Sequence, residues 1–287
     1  MTRAAAVSSD CHIRTRREEV GPHTLIRGDS LRVLRRMEAG SVDVVITSPP
    51  YNIGLSYRSY KDSLTEEAYL DWMTAIAAQL ARVLRPGGSF FLNIAGSSAA
   101  PWLPFELMVR LRALFVLQNH ITWIKSVAIA DVTHGHFKPV NSSRYVNRNH
   151  EHVFHLTLDG NVPLERLAAG VPFTDKSNIA RRQHAADRRC RGDTWFIPYE
   201  TVQTRKQKFL HPATFPVALP LACLKLHGAG DGSVVLDPFM GTGTTLLAAE
   251  SVGAVGIGID RDTRYVAVAR ARLREALGER LDRLDRS

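Results

Sequence analysis

Short apolar segments alternate with amphipathic, helix-forming segments along most of this chain, and that alternation limits its fold more than any other feature. The strand-like segments are residues 42–47, 89–95, 118–125, 233–236 and 254–259. The first of them, VDVVIT, is nearly all apolar, which is typical of a strand covered on both faces. Strands that alternate with helices pair in parallel through right-handed crossovers. The pattern therefore predicts an α/β fold with a doubly wound, mostly parallel sheet.

The alternation stops after Lys125 and resumes only near Arg191. Glycine, proline, asparagine, histidine and arginine are frequent in between, and neither a helical nor a strand period can be followed. We interpret residues 126–191 as an insertion into one domain, whose halves are residues 23–125 and 192–287. Residues 1–22 have no hydrophobic period and are predicted to form a flexible N-terminal tail.

The chain is basic, with 37 Lys and Arg residues against 28 Asp and Glu residues and a net charge of +9. Residues 125–211 hold 14 basic and 8 acidic residues, so most of the excess lies in and beside the insertion. A basic balance favours a polyanionic partner, because neutralised phosphates release condensed counterions. An arginine-rich composition accounts for the charge equally well, so charge alone does not identify the partner.

Composition excludes several classes of protein. With 45% hydrophobic and 23% charged residues, the chain can fill a sizeable core. Its longest uncharged run, residues 86–105, contains three prolines and three glycines, which is wrong for a membrane span, and the N-terminus lacks the apolar stretch of a signal peptide. Three separated cysteines and a group of histidines without cysteine partners match no zinc motif. We therefore expect a cytoplasmic enzyme without a metal.

A glycine-containing loop follows the predicted strand at residues 233–236 and opens the next helix. Its candidate ligand-binding residues are Asp237, Phe239, Gly241, Thr242 and Gly243. The glycines allow close approach of the backbone, and the helix start offers unpaired N–H groups to an anion. The loop matches neither the dinucleotide fingerprint nor a phosphate loop, which favours a smaller anion such as an amino-acid carboxylate.

Asp260 ends the next predicted strand, where an acidic side chain commonly accepts hydrogen bonds from ribose hydroxyls. A ligand that joins an adenosyl group to an amino acid suits both places, and S-adenosylmethionine is such a ligand. A plain tight turn would explain the glycines alone, but it would not explain Asp260.

The second unusual strand end is Ser48-Pro49-Pro50-Tyr51. Neither proline can donate to a sheet, so the strand must stop here. The segment leaves a hydroxyl, a proline carbonyl and an aromatic ring at the ligand-binding edge of the sheet. These groups suit a flipped-out base, whose amino group would donate to Ser48 and the Pro49 carbonyl while Tyr51 stacks on the ring.

The two motifs together resemble those of the DNA amino-methyltransferases of the β group, in which the base-binding motif precedes the cofactor motif. The matching segments are Ser48-Pro49-Pro50-Tyr51, Phe239-Met240-Gly241-Thr242-Gly243, Gly28-Asp29, Trp123-Ile124-Lys125 and His211-Pro212-Ala213-Thr214-Phe215-Pro216. The resemblance implies a Rossmann-like methyltransferase sheet with S-adenosylmethionine as methyl donor and residues 126–191 as the target-recognition region. It also implies that Asp29 and His211 contribute to the cofactor site.

The resemblance gives the basic insertion a partner, double-stranded DNA. The residues expected to contact DNA are Lys125, Arg181, Arg182, Arg188, Arg189 and Arg191, although a merely solvated surface is the alternative. Trp123 is a candidate for stacking on the target base, with core packing as the alternative. Trp195 is predicted to anchor the end of the insertion to the core.

In the family that the chain resembles, serine at the first position of the base-binding motif is commoner among enzymes that methylate cytosine N4. The resemblance therefore implies cytosine N4 as the methyl acceptor, with adenine N6 as the alternative. The absence of a Pro-Cys nucleophile counts against cytosine C5 methylation. The basic insertion and the order of the two motifs count against methylation of RNA or of a protein amide. The two glycines, Asp260 and Ser48 count against a DNA-binding module with a decayed cofactor site. The target sequence, a cognate restriction endonuclease and a homodimer are left open by the sequence.

Overall fold

A computed structural model describes residues 14–52, 64–136, 139–181, 186–198 and 215–284. The strands are β1 (Arg16–Val20), β2 (His23–Arg27), β3 (Val42–Thr47), β4 (Leu84–Ile94), β5 (Val116–Ile124), β6 (Ser126–Ile129), β7 (Val132–Gly135), β8 (His150–Thr157), β9 (Thr194–Phe196), β10 (Val234–Asp237) and β11 (Val255–Asp260). The helices are α1 (Ser30–Leu34), α2 (Glu66–Val83), α3 (Leu103–Leu111), α4 (Ser177–Arg181), α5 (Ala218–His227), α6 (Thr244–Ser251) and α7 (Thr263–Leu284).

Nine strands form one sheet in the order β1-β2-β11-β10-β3-β4-β8-β5-β9. The five strands from β2 to β4 in this order are parallel, whereas β8 is antiparallel to both of its neighbours, β4 and β5. The carboxyl ends of β3, β4, β5, β10 and β11 therefore meet the amino end of β8 at one edge of the sheet. We call this edge the ligand edge, because ligands of open α/β sheets bind there.

Helices cover both faces of the sheet, as the sequence predicts. On one face α1, α2 and α3 bury residues such as Leu34, Met73 and Leu107. On the other face α5 and α6 bury Leu224 and Ala249, and α7 packs beside them over β1 and β2. This arrangement confirms the doubly wound, mostly parallel Rossmann-like fold. Of the described helices, none is both long and apolar enough to cross a membrane.

The prediction of a flexible tail over residues 1–22 is wrong where the structure can test it. Residues 16–20 form β1, which pairs with β2 in antiparallel register from Arg16–Arg27 to Val20–His23. The exposed side chains of this edge strand hide its period in the sequence, and only Val20 is buried. Residues 1–13 lie outside the described residues.

The interpretation of residues 126–191 as one insertion is also wrong in part. β8 lies inside that range, yet it occupies the middle of the sheet between β4 and β5. Its carboxyl-terminal half is apolar and buried, but three histidines interrupt the run, and they obscure the strand pattern. Only residues 126–149 and 158–193 lie outside the large sheet, on either side of β8 in the sequence.

Candidate active site

Two strand ends at the ligand edge are tied together by a buried carboxylate. Asp237, at the end of β10, accepts hydrogen bonds from Thr47 Oγ1 at 2.7 Å, Thr245 Oγ1 at 2.6 Å and the Phe239 amide at 3.0 Å. Its side chain is almost fully buried, and burial raises its pKa to about 6. Asp237 was predicted to bind the cofactor, and that stays a prediction. In the structure its two oxygens hold β3, β10 and α6 in place.

The loop after Asp237 adopts a backbone conformation that depends on its two glycines. Gly241 and Gly243 have φ values of +50° and +81°, in the left-handed region that favours glycine. A Cβ on Gly243 would also lie 2.8 Å from the Cβ of Ala269 in α7. Thr242 is buried and accepts hydrogen bonds from Arg272 on both its carbonyl and its hydroxyl oxygen. The conformation of this loop is therefore fixed by the protein before any ligand binds.

Asp260 supports the same loop from the neighbouring strand β11. Its Oδ2 accepts from the Gly241 amide at 3.0 Å and its Oδ1 from the Asp262 amide at 2.7 Å. Burial raises the pKa of this carboxyl to about 7. Since each carboxylate oxygen has a second lone pair, these bonds leave room for the predicted ribose contact.

Asp29 lies beside this strand end, where the resemblance expects it. The Gly28 amide donates to the Asp260 carbonyl at 2.9 Å, which joins the end of β2 to the end of β11. The Asp29 carboxylate caps α1 by accepting from the Arg32 amide at 3.0 Å. Ser30 Oγ donates to the Pro238 carbonyl, so α1 is also attached to the glycine loop. His211 lies outside the described residues.

The Ser48-Pro49-Pro50-Tyr51 segment directly follows β3 at the ligand edge. Ser48 Oγ and Tyr51 Oη are 2.8 Å apart, and the Tyr51 ring packs partly against the core. Asn52 adopts a left-handed φ of +55° and exchanges two hydrogen bonds with the backbone of Leu64, at 2.9 and 2.8 Å. The segment is thus held at both of its ends.

Glu151 and Asn93 complete the polar group around Ser48, and sequence reasoning missed both. Glu151 Oε2 lies 2.9 Å from Tyr51 Oη and 2.8 Å from Asn93 Nδ2, and Asn93 Nδ2 lies 2.6 Å from Tyr51 Oη. Asn93 stands near the end of β4 and Glu151 near the start of β8, so both reach the ligand edge. A charged residue at the start of an apolar strand was the available signal. It was lost because β8 was assigned to an insertion.

Lys125 also belongs to this group. Its Nζ lies 2.9 Å from Glu151 Oε1, and both side chains are mostly buried. Lys125 was predicted to contact DNA, and that stays a prediction. In the structure its ammonium forms an ion pair with the carboxylate of Glu151 beside Ser48.

Trp123 does not stack on a base. It is 1% exposed in the core formed by β5, β9 and α5, and its indole nitrogen donates to the Ile197 carbonyl at 2.8 Å. From the sequence, a tryptophan on a half-buried strand could either stack on a base or pack in the core. The pairing of β5 with β9 covers Trp123 and places it in the core. Trp195 is equally buried, in agreement with the anchoring role predicted for it.

The predicted DNA-binding arginines differ in their surroundings. Arg188 Nη1 donates to the Gly170 carbonyl at 2.8 Å, and the Arg191 guanidinium lies 5.6 Å from the centre of the Trp195 ring. Arg181 and Arg189 are exposed. Arg182 lies outside the described residues.

The histidines of β8 have the structural surroundings that the sequence suggests for them. His152 lies 2.9 Å from His120 on the neighbouring strand β5. His155 is fully buried against Phe91 and lies within hydrogen-bonding distance of Ser89 and Asn119. Burial lowers the pKa of both His152 and His155 to about 4, so both are neutral at neutral pH.

Sheet order and the two strand-end motifs define a Rossmann-like methyltransferase. A sequence model of the family described as DNA methylase matches residues 42–271, most of the chain. The chain therefore belongs to this family of N4 and N6 amino-methyltransferases of DNA.

Curated relatives cover nearly the same length. The type II methyltransferase M.ScaI of Streptomyces caespitosus is 29% identical over 260 residues, which cover 87% of this chain and 80% of that protein. The DNA adenine methyltransferase YhdJ of Escherichia coli (strain K12) is 27% identical over 257 residues, which cover 87% of this chain and 82% of that protein.

Solved structures show the same fold. The PvuII DNA methyltransferase, described as cytosine-N4-specific, superposes with a TM-score of 0.63 at 20% identity, covering 91% of this chain and 93% of that one. A DNA modification methylase of Thermus thermophilus, TTHA0409, in complex with S-adenosyl-L-methionine, has a TM-score of 0.58 at 25% identity and covers 87% of this chain and 94% of that one.

Proposed function

We propose that this protein transfers a methyl group from S-adenosylmethionine to the exocyclic N4 of a cytosine flipped out of double-stranded DNA. The observation that carries the proposal is the position of the Ser48 hydroxyl at the ligand edge, one residue after the Thr47–Asp237 bond that links the base-binding strand to the cofactor strand. Ser48 and the Pro49 carbonyl would accept the two amino protons and direct the nitrogen lone pair at the methyl group. Holding two reactants in attack geometry removes much of the barrier to their reaction.

The glycine loop suits S-adenosylmethionine. Its left-handed backbone at Gly241 and Gly243 keeps side chains away from the start of α6, where free N–H groups would bind the carboxylate of the donor. Asp260 and Asp29 stand at the two neighbouring strand ends, where they would accept from the ribose and the adenine. The bound donor supplies a methyl group on a positively charged sulfur, which needs no metal to leave.

Adenine N6 is the second candidate acceptor. The relationship to the E. coli adenine methyltransferase favours it, and Ser48 favours cytosine. Both reactions need the same site, because each uses an exocyclic amino group on a flipped base. Single-molecule sequencing of DNA from cells that express this chain tests the proposal: N4-methylcytosine in one sequence context is expected. N6-methyladenine would establish the alternative, and unmodified DNA would overturn both.

The segment from residue 126 to residue 149 is our revised candidate for target recognition. It connects the carboxyl end of β5 to the amino end of β8, so both of its ends lie at the ligand edge. It contains the exposed β6–β7 hairpin, the exposed Arg144, and Arg148, whose guanidinium donates to the Gly96 carbonyl just beyond β4. A major groove admits such a two-stranded ribbon. Residues 158–193 instead leave β8 at the opposite edge.

A cognate restriction endonuclease is the partner that we infer from the relatives, several of which are described as type II methyltransferases. Such a partner would cut the same DNA sequence when it is unmethylated. Once sequencing has given the methylated sequence, a nuclease that cuts this sequence can be applied to DNA from cells that express the chain, which tests this pairing. Protected DNA is expected.

A further inference from the structure

The hydrogen bonds around Ser48 have one allowed direction, and Glu151 sets it. An ionised carboxylate can only accept, so the Tyr51 hydroxyl must donate to Glu151 across their 2.9 Å contact. That hydroxyl has a single proton. The 2.8 Å contact between Tyr51 and Ser48 must then be filled by the proton of Ser48. Apart from a long 3.4 Å contact with Asn93 Nδ2, Ser48 Oγ then accepts no hydrogen bond among the described residues, so one lone pair stays available for the target amino group.

The donors around Glu151 keep this direction in place. Lys125 Nζ is a pure donor at 2.9 Å from Oε1, and the Asn93 amide nitrogen donates to Oε2 at 2.8 Å. Burial and the negative charge of Glu151 together keep the pKa of Tyr51 well above its ordinary value. Tyr51 therefore stays a neutral hydroxyl that can accept one proton while it gives up another.

From this geometry we propose that Ser48, Tyr51 and Glu151 form a proton relay that carries the amino proton of the target base away from the reaction centre. The proposal rests on the proposed function, because it needs an exocyclic amino group at Ser48. Ser48 is the residue of the three that would exchange a proton with the base, whereas the Tyr51 ring would stack on it. Tyr51 Oη and Glu151 act through it.

The proton balance of the step is complete without any further reactant. The amino nitrogen forms a bond to the methyl carbon as the bond from that carbon to sulfur breaks, and the electron pair of the broken bond stays on sulfur. The nitrogen, now positively charged, gives one proton to Ser48 Oγ. The former Ser48 proton passes to Tyr51 Oη, and the former Tyr51 proton passes to Glu151. The carboxylate ends as a carboxylic acid beside Lys125 and returns its proton to water between turnovers.

Asn93 contacts both Tyr51 and Glu151 and so fixes their positions relative to each other. It is 3% exposed, and its amide nitrogen is 2.6 Å from Tyr51 Oη, while its amide oxygen has no hydrogen-bond partner among the described residues. A buried amide oxygen of this kind is rarely left unsatisfied. A bound molecule or a water could supply the missing donor.

Three variants test the relay in single-turnover methylation of unmodified duplex DNA with a radiolabelled methyl donor. Glu151→Gln keeps the shape but removes the proton acceptor, and Tyr51→Phe keeps the ring but removes the middle hydroxyl. Each is expected to slow methylation roughly 100-fold or more, the scale of general acid–base catalysis. Donor affinity by calorimetry and DNA affinity by fluorescence anisotropy should stay at the parental values. The third variant, Glu151→Ala, leaves space for formate, which should restore part of its rate.

Formate separates a relay from a merely structural role. It should accelerate Glu151→Ala but not Tyr51→Phe, in which the chain is broken before the carboxylate. Glu38→Ala, at an exposed glutamate far from the site, is the matched control and should neither slow methylation nor respond to formate. Parental rates in Glu151→Gln, or a slow Glu151→Ala that formate does not accelerate, would overturn the relay alone. A parent protein that binds the donor but leaves DNA unmethylated would overturn the proposed function and the relay with it.

Discussion

The Thr47 hydroxyl donates a 2.7 Å hydrogen bond to the carboxylate of Asp237, 190 residues further along the chain. Both side chains are buried, and they belong to the neighbouring strands β3 and β10. Ser48 follows Thr47, and the glycine loop follows Asp237. This hydrogen bond, together with the backbone pairing of the two strands, thus ties the proposed base site to the proposed cofactor site.

Thr47→Val, which keeps the shape of the side chain but removes this bond, should slow methylation while leaving most of the donor affinity. Loss of the bond also leaves a buried carboxylate less well satisfied, so the free energy of unfolding should fall by about 1–3 kcal/mol. Thr74→Val is the matched control, because its hydroxyl bonds only to the Leu70 carbonyl of its own helix. Single-turnover rates and denaturant titrations measure both effects. Equal rates in the two variants would contradict this role of the Thr47–Asp237 bond.

Gly241→Asp should abolish binding of S-adenosylmethionine. The backbone at Gly241 is left-handed, and its amide donates to Asp260, so the new carboxylate would add strain and negative charge where the donor carboxylate is expected. Gly232→Asp is the control, since Gly232 is also left-handed but has open space around its Cα. Calorimetric titration with the donor should show binding to the control only. Undiminished affinity in Gly241→Asp would refute this placement of the cofactor.

Ser48→Ala should lower the methylation rate far more than it lowers donor affinity, because Ser48 would contact the target amino group and not the methyl donor. The loss of one hydrogen bond made in the transition state should cost roughly 2–4 kcal/mol, as for an oxyanion donor. Ser41→Ala removes an exposed hydroxyl away from the site and serves as the control. Single-turnover rates within a few-fold of the parent would leave Ser48 without this role.

Arg144→Glu should weaken binding to every DNA duplex, whereas Arg189→Glu should weaken it much less. Arg144 lies in the segment that both begins and ends at the ligand edge, and Arg189 lies in the segment that starts from the opposite edge. One lost phosphate contact should lower the slope of log K against log[salt] by about 1. Salt titrations of both variants make the comparison. A larger loss of DNA affinity in Arg189→Glu than in Arg144→Glu would favour the arginines that the sequence suggested as the DNA-binding residues.

His155→Gln should reduce the pH dependence of stability. The folded protein holds this histidine neutral, with a pKa near 4 against an ordinary value of 6.5. As the pH falls from 7.5 to 5, His155 is protonated in the unfolded chain but stays neutral in the folded protein. This difference lowers the free energy of unfolding by about 2 kcal/mol.

The raised pKa values of Asp237 and Asp260 increase the free energy of unfolding as the pH falls, because these carboxyls take up protons at a higher pH in the folded protein than in the unfolded chain. Only the difference between parent and variant therefore isolates His155. Urea titrations at pH 7.5 and pH 5 should show that the variant loses about 2 kcal/mol less than the parent over this range. Equal losses of unfolding free energy in parent and variant would mean that His155 has the same pKa in the folded and the unfolded protein.

Features encoded by adjacent residues could be predicted from the sequence. The apolar run of β3, its termination at two prolines, and the turn from β10 into α6 all depend on local backbone chemistry. The helix predicted to begin after the glycine loop is α6, which begins at Thr244, directly after Gly243. The α/β class and the two strand-end motifs follow from such local signals, and with them the family.

The remaining parts of the site depend on contacts that only the folded sheet creates. Glu151 meets Tyr51 because antiparallel β8 enters between β4 and β5, which brings its amino end to the carboxyl ends of its neighbours. Pairing with β9 likewise buries Trp123, and the pairing of β3 with β10 lets Asp237 accept a hydrogen bond from Thr47. The sequence by itself therefore determined the fold class, the two motifs and the family. Tertiary structure decided which polar groups surround Ser48, because hydrogen bonds between distant residues depend on strand order and register, which no local pattern specifies.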